Sequence, residues 1–157
     1  MQRLNFFEKA QKAMTPFFML GAHLRRSELG STLLELVNFR VSQINGCAYC
    51  LDMHSKDLRA AGEDEQRLHM MAAWHEASCY NARERAALLW AEALTNLNDG
   101  RVSDDVYAIA REHFSDGELV DLTLAVLTIN SYNRLNVAFR TPAGGYVVGE
   151  HEVLLEK

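Results

Sequence analysis

Four residues of types that move protons and electrons stand at short spacing in this sequence. Two residues separate Cys47 from Cys50, three separate Cys50 from His54, and Glu35 precedes Cys47 by twelve positions. On a helix each residue advances about 100°, so positions 47, 50 and 54 fall within an arc of about 60° on one face. Sulfur then meets sulfur across one turn, and the imidazole lies beside Cys50 one turn on. A dithiol of this kind can attack a peroxide or another disulfide, and the neighbouring thiol closes the ring before over-oxidation. Cys47 falls in a first turn just after Asn45-Gly46. Free backbone N–H groups and the helix dipole favour a thiolate there. His54 is the base that spacing brings nearest to Cys50. Glu35 lies amid Leu33, Leu34, Leu36 and Val37. A carboxylate in apolar surroundings has to be paired or raised in pKa, and both conditions suit a proton relay.

The elements that must hold these residues are helices. The only two prolines, Pro16 and Pro142, lie near the ends, so the interior can be helical without a break. An N-terminal amphipathic segment covers about 4–26, with a bend expected at Pro16. Ser31 or Thr32 caps a helix that Asn45-Gly46 terminates, and a second helix runs from near Cys47 to Gly62. Asp64 caps a third through about Trp74. Asn81 with Glu84 opens the next, and Asn98-Asp99-Gly100 closes it. Ser103 caps another. Ser115 with Glu118 is a capping box for a long helix from about Asp116 to Phe139, with Leu119, Leu122, Val126 and Ile129 at helical spacing. The expected fold is all-α, a bundle of six or seven helices in one domain over 1–157. Its parts are an N-terminal oligomerisation helix (4–26), a redox core (31–140) and a short extended C-terminal arm (141–157).

Composition narrows the possible partners. A chain of 157 residues can bury enough surface to need no disulfide or metal for its core. Residues 1–60 carry eight Lys/Arg against five Asp/Glu, and residues 61–157 carry eight against sixteen. No basic run is long enough to track a phosphate backbone, so nucleic acid is not expected. No apolar stretch approaches the 18 or so residues of a membrane span, and the N-terminus lacks the apolar core of a secretory signal. These features lead to a cytoplasmic expectation. The third cysteine, Cys79, makes the count odd, which argues against a disulfide framework. No Gly-rich phosphate loop follows a strand, so no flavin, haem or nucleotide cofactor is expected.

The order Glu35, Cys47, Cys50, His54 resembles the signature of alkylhydroperoxidase D, within the wider carboxymuconolactone decarboxylase family. Arg40 to Gly46 before the cysteines is similar too, as are Glu84 to Leu88 and Trp90 to Thr95 after Trp74. The resemblance covers roughly residues 20 to 140. It implies an all-α fold, trimeric or hexameric assembly, and reduction of organic hydroperoxides. It further implies that Cys50 is the peroxidatic thiol, Cys47 its resolving partner, and His54 with Glu35 the proton relay. An external dithiol, in the family a lipoyl-bearing protein, would reset the pair. Tyr49 stands where the best-studied members carry a histidine, so help from that position would come from a phenol. The family's decarboxylases lack the cysteine pair, so that activity is not implied.

Other readings of the same residues stay open on sequence alone. The dithiol could serve a redox sensor or a disulfide exchange protein without peroxide turnover. Cys47, Cys50 and His54 could instead be three zinc ligands, with Glu35, His75 or Cys79 as a fourth. Asp57 shares the face of His54 and could orient its ring, although a plain salt bridge is the simpler expectation. His23, His113 and His151 carry no pattern. Phe6, Phe7, Phe17, Phe18, Met19 and Leu20 are much apolar surface for a peripheral helix, and burial against another subunit would explain them.

Overall fold

The computed structural model describes residues 1–151, for residue 99 the backbone only. Among them are eight α-helices and two 3₁₀ turns: α1 (Phe6–Lys9), α2 (Gln11–Arg25), α3 (Ser31–Asn45), α4 (Ala48–Ala60), α5 (Glu65–Met70), α6 (Ala82–Asn96), α7 (Asp104–His113) and α8 (Asp116–Phe139), with the 3₁₀ turns at Met71–Ala73 and Asn98–Gly100. The all-α expectation holds, with more and shorter pieces than anticipated. The extra helix arises at Ala10, whose backbone (φ −129°, ψ 34°) leaves the helical region and separates α1 from α2. Pro16 sits inside α2 and does not mark the break. Residues 152–157 of the expected arm lie outside the described residues.

α3 is the central element. Leu36, Val37 and Val41 have no exposed surface, and a helix apolar on nearly all sides has to sit inside the bundle. It packs on α4, α6 and α8. Leu33, Leu34, Val37 and Val41 join a core cluster with α2, α6, α7 and α8. Leu36 and Phe39 face a second cluster with Leu58, Leu68, Met71, Trp74 and Leu88. The helix starts follow the sequence closely. Asp64, Asn81, Ser103 and Ser115 all cap as expected, the second and fourth with reciprocal Glu84 and Glu118 bonds. The start of α3 differs: Gly30, at φ 82°, is the cap, and Ser31 is the first helical residue. Left-handed backbone is open to glycine at little strain.

On α8 the buried stripe changes character along its length. Leu119, Leu122, Val126 and Ile129 give way to Asn130, Asn133 and Asn136, all buried. Buried amides need partners, and these find them at the α3–α4 junction. Asn45 Nδ2 donates to Asn130 Oδ1 and Asn133 Oδ1 (2.9 Å each), and Asn133 Nδ2 donates to Ser42 Oγ (3.0 Å). The turn that starts α4 is therefore clamped to α8 by side chains. Its backbone adds Gly46 in left-handed geometry (φ 64°) and a Cys47 N–H bond to Ser42 O (3.1 Å).

Candidate functional site

The N-terminus of α4 carries both neighbouring cysteines. Cys47 is the N-cap, with extended backbone, and Cys50 lies in the first turn. The two are joined as a disulfide (Cα–Cα 5.3 Å). The Cys50 backbone N–H donates to Cys47 Sγ (3.3 Å), so the cap position does offer an amide donor to that sulfur, as the sequence led us to expect. Both residues are 1% exposed.

His54 is buried on the next turn, and its Nδ1 lies 2.6 Å from Glu35 Oε2 on α3. Burial alone would raise the Glu35 carboxyl. The His54 imidazole, with smaller help from Asn38 and Arg25, outweighs burial and holds it below its ordinary value. The carboxylate is therefore ionised at neutral pH and can only accept. Nδ1 must then carry the hydrogen, and in the neutral ring Nε2 keeps the lone pair. Nε2 is buried and has no partner among the described residues.

A cavity of about 450 Å³ opens onto this corner, lined by Cys50, His54, Glu35 and Asn136 at its polar end. Cys47 is not part of the lining. The apolar wall comes from Phe7, Phe17, Phe18 and Leu24 of the N-terminal helices and from Ala125, Ile129 and Tyr132 of α8. Phe6 is buried and packs on Phe7 and Phe139. Most of the apolar N-terminal surface is thus used within the chain, and Met19 remains 69% exposed.

The C-terminal arm packs on α4 beside this corner. Asp52 accepts the backbone N–H groups of Gly144 (2.9 Å) and Tyr146 (3.4 Å), and Lys56 Nζ donates to Tyr146 O (2.9 Å). The Tyr146 phenol donates to both oxygens of Asp57 (2.8 and 3.0 Å). Among the described residues Asp57 is therefore in no salt bridge, and Glu35, not Asp57, is bonded to His54. Tyr49 O–H lies 2.7 Å from His151 Nε2. Burial, reinforced by Glu150, Asp52 and Asp57, pushes the Tyr49 phenol up to about 12. Burial also lowers His151, against the opposing pull of Glu150 and Asp57. A neutral phenol therefore donates to a neutral imidazole.

The four residues picked from the sequence thus meet in one place. The further zinc candidates do not join them: His75 stacks on Trp74 and pairs with Glu92, while Cys79 packs beside the second core cluster. Glu35, His54 and Asp57 have donor atoms within 4.8 Å of one another and could face a cation, but Glu35 is already bonded to His54 Nδ1 and Asp57 to Tyr146. Sequence reasoning missed Asn136, Tyr146 and His151. A signal for the first was available, because Asn130, Asn133 and Asn136 repeat every three residues, continuing the apolar stripe of Leu119, Leu122, Val126 and Ile129.

A family model described as the carboxymuconolactone decarboxylase family matches residues 8–93. The chain is 40% identical over 137 residues to the uncharacterized protein YdfG of Bacillus subtilis, covering 87% of this chain and 93% of that one. It is 43% identical over 54 residues to alkyl hydroperoxide reductase AhpD of Streptomyces griseus, covering 31% and 30%. Its fold matches the crystal structure of a protein of unknown function from Agrobacterium tumefaciens with a TM-score of 0.88 and 36% identity, over 93% of this chain and 100% of that one. Among the described residues no helix is long and apolar enough to cross a membrane.

Proposed function

The chain belongs to the carboxymuconolactone decarboxylase family, and from that premise we propose that it is a thiol peroxidase reducing organic hydroperoxides through Cys47 and Cys50. The observation that carries this reading is the position of Cys50: it lines the cavity beside the Glu35–His54 pair, while Cys47 lies behind it in disulfide contact. In the reduced protein, His54 Nε2 takes the Cys50 thiol proton and Glu35 stabilises the imidazolium. The Cys50 thiolate attacks the terminal oxygen of the hydroperoxide. The O–O bond breaks, the sulfur becomes a sulfenic acid, and the leaving alkoxide takes the proton back from His54. Cys47 then displaces hydroxide from the Cys50 sulfur, giving the disulfide and, with its own thiol proton, water.

An external dithiol must reduce this disulfide. Both cysteines are 1% exposed, so the reductant has to be slender enough to enter the cavity. A lipoyl arm on a partner protein meets that requirement and a flat protein surface does not. The same burial disfavours broad disulfide exchange with folded proteins. We place the activity in the cytoplasm, where dithiol reductants are maintained. The working form in this reading is a homo-oligomer, a trimer or hexamer, whose contacts would cover exposed side chains such as Met19, Val120 and Leu127; light scattering on the eluted protein returns a multiple of 17.8 kDa if so.

Stopped-flow mixing of reduced protein with cumene hydroperoxide tests the reading. Fast loss of two thiols per chain is expected, absent in Cys50→Ser. Loss at the rate of an ordinary free thiol would overturn it in favour of a sensing role.

A further inference from the structure

One buried polar group at the cavity has no task in the scheme above. Asn136 of α8 is 4% exposed and lines the cavity beside Cys50. Its Nδ2 lies 2.9 Å from Tyr132 O and 3.5 Å from Cys50 Sγ. A backbone carbonyl accepts only, so the atom facing it must be the amide nitrogen, and the orientation of the side chain is fixed. Both Nδ2 hydrogens are then in use, one on Tyr132 O and one on the sulfur. Oδ1 is buried and has no donor among the described residues.

A planar amide held in this way offers two things at once. It presents a donor to the Cys50 sulfur and, beside that sulfur, an acceptor lacking a donor. A buried carbonyl without a partner is costly, and native proteins retain few of them without reason. An alkyl hydroperoxide supplies the missing piece, because the oxygen that a thiolate attacks is the one bearing the hydrogen.

Resting on the peroxidase reading, we propose that Asn136 is a further catalytic residue: its N–H holds the Cys50 thiolate, and its carbonyl accepts the O–H of the incoming hydroperoxide. The S–O bond forms to that oxygen and the O–O bond breaks. The hydrogen stays on the transferred oxygen, so the sulfenic acid remains hydrogen-bonded to Oδ1 while Cys47 approaches. The alkoxide leaves toward His54 and takes its proton there. No further oxidant or reductant enters this step. The helix of Cys50 supplies the base and α8 supplies the groups that hold the sulfur and the oxygen, which accounts for the chain of side-chain bonds that fixes the α3–α4 junction to α8.

The test separates the two halves of the proposal. In a Cys47→Ser background, alkylation of Cys50 by iodoacetamide is followed against pH for Asn136, Asn136→Leu and Asn136→Asp, with near-UV circular dichroism as the fold control. Leucine keeps the volume and removes both polar atoms. Aspartate puts a negative charge where the donor was. The alkylation midpoint should rise by about one pH unit in Asn136→Leu, a tenfold loss of thiolate at fixed pH, and further in Asn136→Asp. The rate with cumene hydroperoxide should fall more than the loss of thiolate explains, because the acceptor is gone as well. Alkylation profiles that superimpose on the parent would overturn the proposal. A parent that reacts slowly with hydroperoxide while the profiles still shift would overturn the peroxidase reading and keep the Asn136 hold on the thiolate. Should Asn136→Leu fail the fold control, Asn136→Asp alone decides by the same criterion.

Discussion

Two parts of the cavity lining are built in different ways. The cysteine pair and the Glu35–His54 pair come from α3 and α4, neighbours in the chain joined by the Gly46–Cys47 turn, and the Glu35–His54 bond spans nineteen positions. The rest of the lining comes from the first 25 residues, from α8 and from residues 146–151, the last bonded to α4 across about ninety positions or more. The difference teaches where chemistry and selection are encoded. Groups that exchange protons with a sulfur need fixed spacing, and a helix with its turn supplies it locally. Groups that shape access need only reach the cavity, and the chain ends do so.

The contrast predicts unequal effects. Glu35→Gln leaves the cavity shape intact and removes the charge that fixes the His54 ring. Hydroperoxide turnover should fall by about a hundredfold with KM little changed, as steady-state kinetics with a dithiol reductant would read. An unchanged kcat would remove the relay from the account. In the arm, His151→Phe keeps the ring packing and removes the Tyr49 bond. A few-fold change in KM that depends on the size of the hydroperoxide is expected, with alkylation of Cys50 unchanged. If Cys50 reactivity moved as well, the two parts of the lining would not be separable.

Titration sharpens the comparison further. Glu35 is lowered in the fold, so its contribution to stability is present above the ordinary value of 4.5 and is lost as pH falls through the lower folded value. His151 is also lowered, from 6.5, so the folded arm favours its neutral form. The unfolded chain then binds a proton first, and the arm's contribution fades as pH drops below 6.5. Hydrogen exchange between about pH 7.5 and pH 5.5, corrected for intrinsic rates, should therefore show the Gly144 and Tyr146 amides losing protection while α3 and α4 keep theirs. The smallest effect is expected from Tyr146→Phe, which removes the phenol's bonds to Asp57 and to the Gly149 N–H and should lower stability by about 2 kcal/mol in a denaturant titration.

The sequence made the polar end legible because its information is local. Cys47, Cys50, His54 and Glu35 lie within twenty residues, and helical periodicity alone brings three of them to one face. The caps at Asp64, Asn81, Ser103 and Ser115 were readable for the same reason. The break at Ala10 was not, since nothing in its identity opposes a helix and the helix-breaking residue nearby is Pro16. The roles of Tyr146 and His151 depend on where a turn-rich tail lands after α8, which no short-range pattern specifies. The aromatic N-terminus was legible as surface needing burial, but the chain's own cavity takes Phe7, Phe17 and Phe18.

The central claim is that the sulfur at the cavity wall is the one oxidised first. Cys47→Ser protein treated with one equivalent of cumene hydroperoxide in the presence of dimedone, followed by peptide mapping, tests it most directly. The account predicts the dimedone adduct on Cys50 at near-stoichiometric yield, and none on Cys47 in the reciprocal Cys50→Ser protein. An adduct on Cys47 in that second protein, with Cys50 left unmodified in the first, would contradict it.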